Sequence, residues 1–316
     1  MIGQMDVISF GQVFLELVFG HIHGLPAPGQ EVFTDDFAIS CGGAVSCATA
    51  AARAGASAGL CTLLGDDLGS QIVVEHCERE GIDLSSSAWV RRRVTGITTV
   101  FNFDGDRSFV THVPPRPADE PPPTQRWAGM LRSHRPAWCY LHAGPGKQDF
   151  LREARELGAK TLVDVNLETS ERSPADVIEC VQLADVFVPN EAELVLLTRT
   201  DGLESALEAA VLWGTPVVVK QGEGGALIVG PDGILPVPDG VAAVEVADRT
   251  GAGDAFAGGM IAALARGLPL QHAVVAGNGA GSEAVGRLGA VGPVRVQGLS
   301  TVMTRDHSLL ERTANR

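Results

Sequence analysis

Short apolar runs alternate with helix-compatible stretches along almost the whole of this chain. Residues 6–11 read as a first strand, and 57–64, 137–141, 161–165, 186–188 and 217–220 as further strands. Between them, 44–54, 68–80 (stopped by Gly81), 149–157, 174–183, 203–213 and about 271–285 read as helices. This alternation predicts a layered α/β domain around a mostly parallel sheet. Strands that are apolar throughout need helices on both faces of the sheet. Two regions break the pattern. Residues 13–40 and 89–112 read as β-hairpins, the second through Ile97–Phe103, the turn Asp104-Gly105-Asp106 and Arg107–Val110. Both are expected to leave the main domain as a small sheet. Residues 114–124, rich in proline, read as an irregular linker back to the body.

With 316 residues, 45% hydrophobic and 20% charged, the chain can build one large core. A single domain over 1–316 is expected, with lid segments at about 13–40 and 89–112. A net charge of −14 and a pI near 5.0 argue against nucleic acid or an acidic membrane surface as partner. No run approaches the ~18 apolar residues of a membrane span, and no signal peptide is evident, so a cytoplasmic protein is expected. The cysteines, Cys41, Cys47, Cys61, Cys77, Cys139 and Cys180, are scattered without metal-ligand spacing and read as reduced, buried thiols. His21 and His23 alternate on a strand, but a zinc site there lacks two further ligands. Neither a P-loop nor a dinucleotide fingerprint is present.

The chemistry concentrates in Asp248-Arg249-Thr250-Gly251-Ala252-Gly253-Asp254-Ala255-Phe256. A glycine turn opens directly into a small, apolar helix. The free N–H groups and positive dipole end of such a helix attract anions. A carboxylate there would repel a phosphate, so Asp254 makes sense as a general base aimed at a substrate hydroxyl. Gly and Asp are also ordinary turn and helix-start residues.

The longer string Asp248 to Gly259 resembles the C-terminal signature of the PfkB carbohydrate kinases, the ribokinase-like family. The resemblance extends over nearly the whole chain. Gly42 and Gly43 match the family's Gly-Gly signature, where the backbone approaches a sugar; Ser46 or Cys47 stands where an Asn usually meets a sugar hydroxyl. The stretch Gly65-Asp66-Asp67-Leu68-Gly69 matches loosely, and Asp67 could equally cap a helix. Asn166 and Asn190 each follow a strand, and Asn190 with Glu193 resembles the family's Asn-x-x-Glu element. Taken alone, that pair also reads as a capping Asn with an acidic first turn.

The resemblance implies a three-layer ribokinase-like fold with a small β-sheet lid, and a kinase using ATP and Mg²⁺. Asp254 would be the base and the Gly251, Ala252 and Gly253 amides the anion hole. Asn190 and Glu193 would order Mg²⁺ through water. Lys220, Gly222 and Gly225 would line the nucleotide, with Lys220 reaching phosphate or lying solvated at a strand end. Asn278 would stand on the adenine side, and 286–290 would close over the base. Arg249 would add charge near the phosphates or be a surface arginine. Asp248, Thr250 and Gly289 would form a monovalent-cation site; Pro293 replaces a Ser ligand, which leaves K⁺ dependence open.

Glu16 falls where the family usually has a sugar-binding Asp. Ala44 and Val45 stand where kinases of sugar phosphates carry a Lys, which implies an unphosphorylated sugar or polyol acceptor. Phe14, Phe19, Phe33 and Phe37 in the lid could stack on a nucleobase, which keeps a nucleoside acceptor open; they could also be lid-core or dimer contacts. The lid is expected to pair protomers in a homodimer. The departures at Glu16 and 46–47 also admit a weakly catalytic sugar sensor on the same scaffold.

Overall fold

The computed structural model describes residues 5–103, 107–120, 122–238 and 245–294. Its strands, in chain order, are β1 (Val7–Phe10), β2 (Val13–Gly20), β3 (Asp36–Gly43), β4 (Ala58–Cys61), β5 (Leu63–Leu64), β6 (Ala88–Trp89), β7 (Gly96–Asn102), β8 (Arg107–His112), β9 (Trp138–His142), β10 (Lys160–Asp164), β11 (Val186–Phe187), β12 (Val217–Lys220), β13 (Ala226–Gly230) and β14 (Gly233–Val237). The helices are α1 (Ala44–Arg53), α2 (Leu68–Glu80), α3 (Pro123–His134), α4 (Gln148–Glu156), α5 (Leu167–Arg172), α6 (Pro174–Leu183), α7 (Glu191–Thr198), α8 (Leu203–Val211), α9 (Ala252–Ala265) and α10 (Leu270–Val285).

The main sheet runs β14-β13-β12-β11-β10-β9-β1-β4. It is parallel from β4 to β12 and antiparallel at β13 and β14. Its apolar strands serve two cores because successive side chains point to opposite faces. In β12, Val217 and Val219 join one core and Val218 the other. In β9, Cys139 and Leu141 pack on the first side and Tyr140 on the second. Helices cover both faces, as the unbroken apolar runs require. All six cysteines are free and buried. No helix among the described residues is long and apolar enough to cross a membrane.

Helix α9 is wedged between α1 and α10, and small residues make that possible. A Cβ at Gly258 would lie 2.5 Å from Ala50 Cβ and from the Cys47 carbonyl oxygen. The wedge holds the start of α9 over the carboxyl ends of the parallel strands, where α/β sheets bind ligands.

The two hairpin regions form a separate sheet in the order β3-β2-β7-β8, with β2 and β7 parallel. The hairpin expected over 89–112 begins only at Gly96; Trp89 pairs instead with Leu64 in a short β5–β6 sheet. The run expected as one strand over 57–64 is accordingly two strands in two sheets. The turn at Asp104-Gly105-Asp106 lies outside the described residues. The irregular linker over 114–124 ends earlier than expected, since α3 starts at Pro123. Proline suits the first helical turn, and the helix buries Trp127 and Leu131. The β13–β14 hairpin was missed; Pro236 sits on its outer strand, where a missing N–H is tolerated.

Candidate active site

Helix α9 is preceded by the cap residue Gly251, whose φ of 73° is left-handed. A Cβ there would lie 2.4 Å from Ala290 Cβ, so the position admits only glycine for both conformation and space. No side chain caps the helix. Among the described residues, the N–H groups of Gly251, Gly253 and Asp254 have no acceptor, while Ala252 N–H points back to the Arg249 carbonyl at 3.4 Å. These amides and the helix dipole make a site for negative charge.

The Asp254 carboxylate lies in that first turn. Tyr140 O–H donates to its Oδ1 at 2.7 Å. With that proton directed at Asp254, His142 Nε2–H donates to the Tyr140 oxygen at 2.9 Å, and Nε2 lies 3.5 Å from Asp254 Oδ1. Burial first, and then the charges of Asp254 and Asp164, hold the Tyr140 hydroxyl well above its ordinary pKa, so it stays a neutral donor. Burial lowers the pKa of His142, but its contact with Asp254 and the charge of Asp164 outweigh that and raise it.

Asp164, at the end of β10, is paired with Lys220 at the end of β12, with Nζ 3.0 and 2.9 Å from the two carboxylate oxygens. Burial alone would lower the Lys220 pKa; Asp164 and Glu193 reverse this and keep the ammonium charged. Lys220 also borders the anion site, since a Cβ at Gly253 would lie 3.3 Å from its Nζ. His142, Asp164 and Asp254 offer ligand atoms within 4.8 Å of one another. The Lys220 ammonium already balances Asp164 within that group.

Asn190 and Glu193 form a reciprocal capping box at the start of α7: Glu193 N–H donates to Asn190 Oδ1, and Asn190 N–H to Glu193 Oε2, both at 2.8 Å. Burial pushes the Glu193 carboxyl up to about 7; Lys220 opposes the shift and Asp164 adds to it. Across the site, Asp248 ties two loops together by accepting from Thr250 N–H and Gly289 N–H. The Thr250 hydroxyl is buried with no hydrogen-bond partner among the described residues. Glu16 reaches in from the lid strand β2 and accepts from Ala290 N–H at 3.2 Å. A Cβ at Gly42 would lie 2.0 Å from Glu16 Oε1, so a side chain there would displace the Glu16 carboxylate. Burial pushes Glu16 up to about 7, against the Ala290 hydrogen bond and with help from Asp254 and Asp248.

Two cavities meet here. The first, about 650 Å³, is lined by Asp254, Lys220, Glu193, Asn190 and Arg249 and runs to Asn278 and Val285. The second, about 680 Å³, lies toward the lid and is lined by Phe14, Gly43, Ala44, Trp127 and Lys147. His142 and Asn166 line both. An uncapped helix start, a base beside it and a lysine at its edge suit a phosphoryl-transfer site.

Residues 24–296 match the pfkB family carbohydrate kinases. The chain belongs to that family. It is 27% identical over 285 residues to the cytidine kinase of Thermococcus kodakarensis, covering 86% of this chain and 92% of that one. To the aminoimidazole riboside kinase of Salmonella typhimurium it is 28% identical over 283 residues, covering 82% and 86%. The crystal structure of a PfkB protein from Polaromonas sp. JS666 superposes with a TM-score of 0.71 at 26% identity, covering 89% and 96%. The ribokinase of Arabidopsis thaliana, complexed with ribose and ATP, shares the fold with a TM-score of 0.73 at 20% identity, covering 92% and 96%. The protein is a carbohydrate kinase of the pfkB family, and kinases of this family use ATP with Mg²⁺.

Among the residues expected at a pfkB site, Glu16, Asn190, Lys220, Gly222, Gly225, Thr250, Gly251, Ala252, Gly253, Asp254 and Asn278 all line the first cavity. Gly43 lines the second. Gly42 lies against Glu16, and Asp248 and Gly289 hold the loop behind. Ser46 and Cys47 line neither cavity. Both are buried in α1, and Cys47 packs with Phe256 and Met260 of α9, because that face of α1 meets the wedge helix. Arg249 pairs with Glu223 at 3.2 Å on an exposed edge. Asn278 Nδ2 donates to the carbonyls of Val237 and Pro238. Asp67 caps α2. Phe14 lines the second cavity, Phe19 packs against Phe37 and Phe101, and Phe33 is exposed.

Sequence reasoning missed Tyr140, His142 and Lys147, and gave Asp164 no role. Position was the available signal: His142 and Asp164 end adjacent parallel strands.

Proposed function

We propose that this kinase transfers the γ-phosphoryl group of ATP to a hydroxymethyl group of a small, unphosphorylated sugar or polyol. One observation carries the reading: a base, Asp254, lies in the first turn of an uncapped helix whose free amides border the meeting point of two cavities. Asp254 accepts the proton of the acceptor hydroxyl. Tyr140 fixes the orientation of that carboxylate by donating to Oδ1, leaving Oδ2 for the hydroxyl. The amides of Gly251, Gly253 and Asp254 stabilise charge on the transferring group, and Lys220 adds positive charge at the edge of the same site.

The donor set fits the expected cofactors. The first cavity is lined by Lys220, Arg249 and the first-turn amides of α9 together with the apolar Val246 and Val285, a mixture that suits a nucleotide. Mg²⁺ bound with ATP would neutralise phosphate charge, and it favours oxygen ligands with retained waters. Glu193 and Asn190 are placed to hold such waters, their capping box fixing both side chains. The unpartnered Thr250 hydroxyl beside the Asp248 carboxylate suits a monovalent cation, so K⁺ is part of the proposal.

The absence of a lysine at Ala44 and Val45 supports an unphosphorylated acceptor. A second reading, a nucleoside acceptor, draws on the Phe14 ring lining the second cavity and on similarity to two nucleoside-type kinases. ADP release over a panel of sugars, polyols and nucleosides tests both. Turnover of sugars or polyols supports the first reading and turnover of nucleosides the second. Tight binding of a panel member with no turnover of any would overturn the kinase mechanism at this site.

A further inference from the structure

The second cavity carries more positive charge than the kinase reading uses. Lys147, Arg92, Arg116 and Arg126 line it, and Glu120 is the one acidic side chain among its described lining residues. Glu120 accepts a hydrogen bond from Arg92 and lies 3.9 Å from Arg116 and 3.8 Å from Arg126. One carboxylate therefore serves three guanidinium groups, and this in a chain of net charge −14. Lys147 has no carboxylate within ion-pair distance among the described residues. Its Nζ sits 4.0 Å above the Trp127 ring, which is 6% exposed. The ring steadies the ammonium but leaves its three N–H donors without acceptors. Lys147 also stands at the cap position of α4, the positive end of a helix dipole, where a cation is misplaced. Burial draws its pKa down to about 8; Cys180 opposes that shift and the nearby Arg116 adds to it.

Lysine and arginine groups gathered in this way suit an anionic ligand. The cavity also leads to the reaction centre. Tyr140 and His142 line it, and Tyr140 contacts the Asp254 carboxylate. A small molecule filling it would present one end to Tyr140 and His142, beside Asp254, and the other to Lys147. We infer that the acceptor carries an anionic group, a carboxylate or a phosphate, at the end remote from its hydroxymethyl group, and that Lys147 binds it with the three arginines behind. The inference rests on the kinase reading above and deepens it to a class of acceptor. A carboxylate, and hence a sugar acid, agrees with the unphosphorylated reading.

Calorimetric binding to the full chain with ADP and Mg²⁺ tests this, using matched probes. Gluconate is set against glucose, 2-keto-3-deoxygluconate against fructose, and fructose 1-phosphate against fructose. At least one anionic probe is expected to bind about 10-fold or more tighter than its neutral partner, the worth of one charge-assisted hydrogen bond. In Lys147→Met the two members should bind alike, and Lys147→Arg should retain the preference; unchanged ADP affinity in both variants shows that they fold. Preference for the carboxylates identifies a sugar acid. Preference for the phosphate keeps the anion site and ends the unphosphorylated reading. Equal or weaker binding of every anionic probe, or a preference that survives in Lys147→Met, overturns the inference. ADP release is read separately. Turnover of neutral probes without anion preference leaves the kinase reading standing. Anion-selective binding with no ADP release from any probe keeps the anion site and removes the kinase reading.

Discussion

Lys220→Met removes the ammonium that lies 2.9 and 3.0 Å from the Asp164 oxygens and strands a carboxylate that is 4% exposed. What remains to Asp164 is Val165 N–H at 2.8 Å; the Tyr140 hydroxyl lies 3.5 Å away with its proton directed at Asp254. Breaking a buried pair from one side costs about 3–5 kcal/mol, and the surviving backbone bond places this one near the lower figure. Asp164→Asn leaves the opposite defect, a buried ammonium that keeps only the weaker attraction of Glu193 and Asp254, at a similar cost. The double variant keeps neither charge. It should lose only about 2–3 kcal/mol where the two single losses sum to about 6, giving a coupling of about 3–4 kcal/mol. Denaturant unfolding of all four proteins at neutral pH measures this. Additivity within ~0.5 kcal/mol would refute the reasoning, because it would mean the pair is not a buried unit. Removing the stranded charge should not restore turnover. Lys220 borders the anion site, so the double variant should still lose about 10²-fold in kcat.

Gly251→Ala should lower kcat by about 10²–10³-fold in the ADP-release assay, since a Cβ meets Ala290 and must shift the loop that presents the anion-site amides. Glu193→Ala should cost about 1 kcal/mol in thermal unfolding through loss of the capping box. It should also raise the Mg²⁺ concentration needed for half-maximal rate. Glu16 is buried with its pKa raised from 4.5 to about 7, so the folded chain holds that proton longer than the unfolded chain. Stability from this group is full below about 4.5 and is lost as pH rises toward 7, by on the order of 3 kcal/mol. Glu16→Gln should flatten that part of the stability–pH curve.

Much of the layered fold was legible because it rests on local signals. The 68–80 helix is bounded by an Asp67 cap and by Gly81 in the left-handed region, and both were visible in the sequence. The apolar strands announced a two-faced sheet. What was not legible depended on partners distant in sequence. The split of 57–64 follows from Trp89 pairing with Leu64, which no local pattern shows. Helix α3 hid behind prolines that suit its first turn. In the site, the glycine turn and the Asn190–Glu193 pair stood out because their geometry is local. Tyr140, the chain's single tyrosine, lies 114 residues from the carboxylate it orients, and only strand order brings them together. Cys47 was misplaced for the reverse reason: its position in the motif pointed to the sugar, while the α1–α9 packing turns it into the core.

The central claim is that Asp254 takes the acceptor proton. Asp254→Asn keeps the shape of the first turn of α9 and the reach of the Tyr140 hydroxyl, and removes only the base. Single-turnover phosphoryl transfer should fall by about 10²–10⁴-fold, with ATP affinity and the unfolding transition unchanged. A rate within a few-fold of the unsubstituted enzyme would contradict the account.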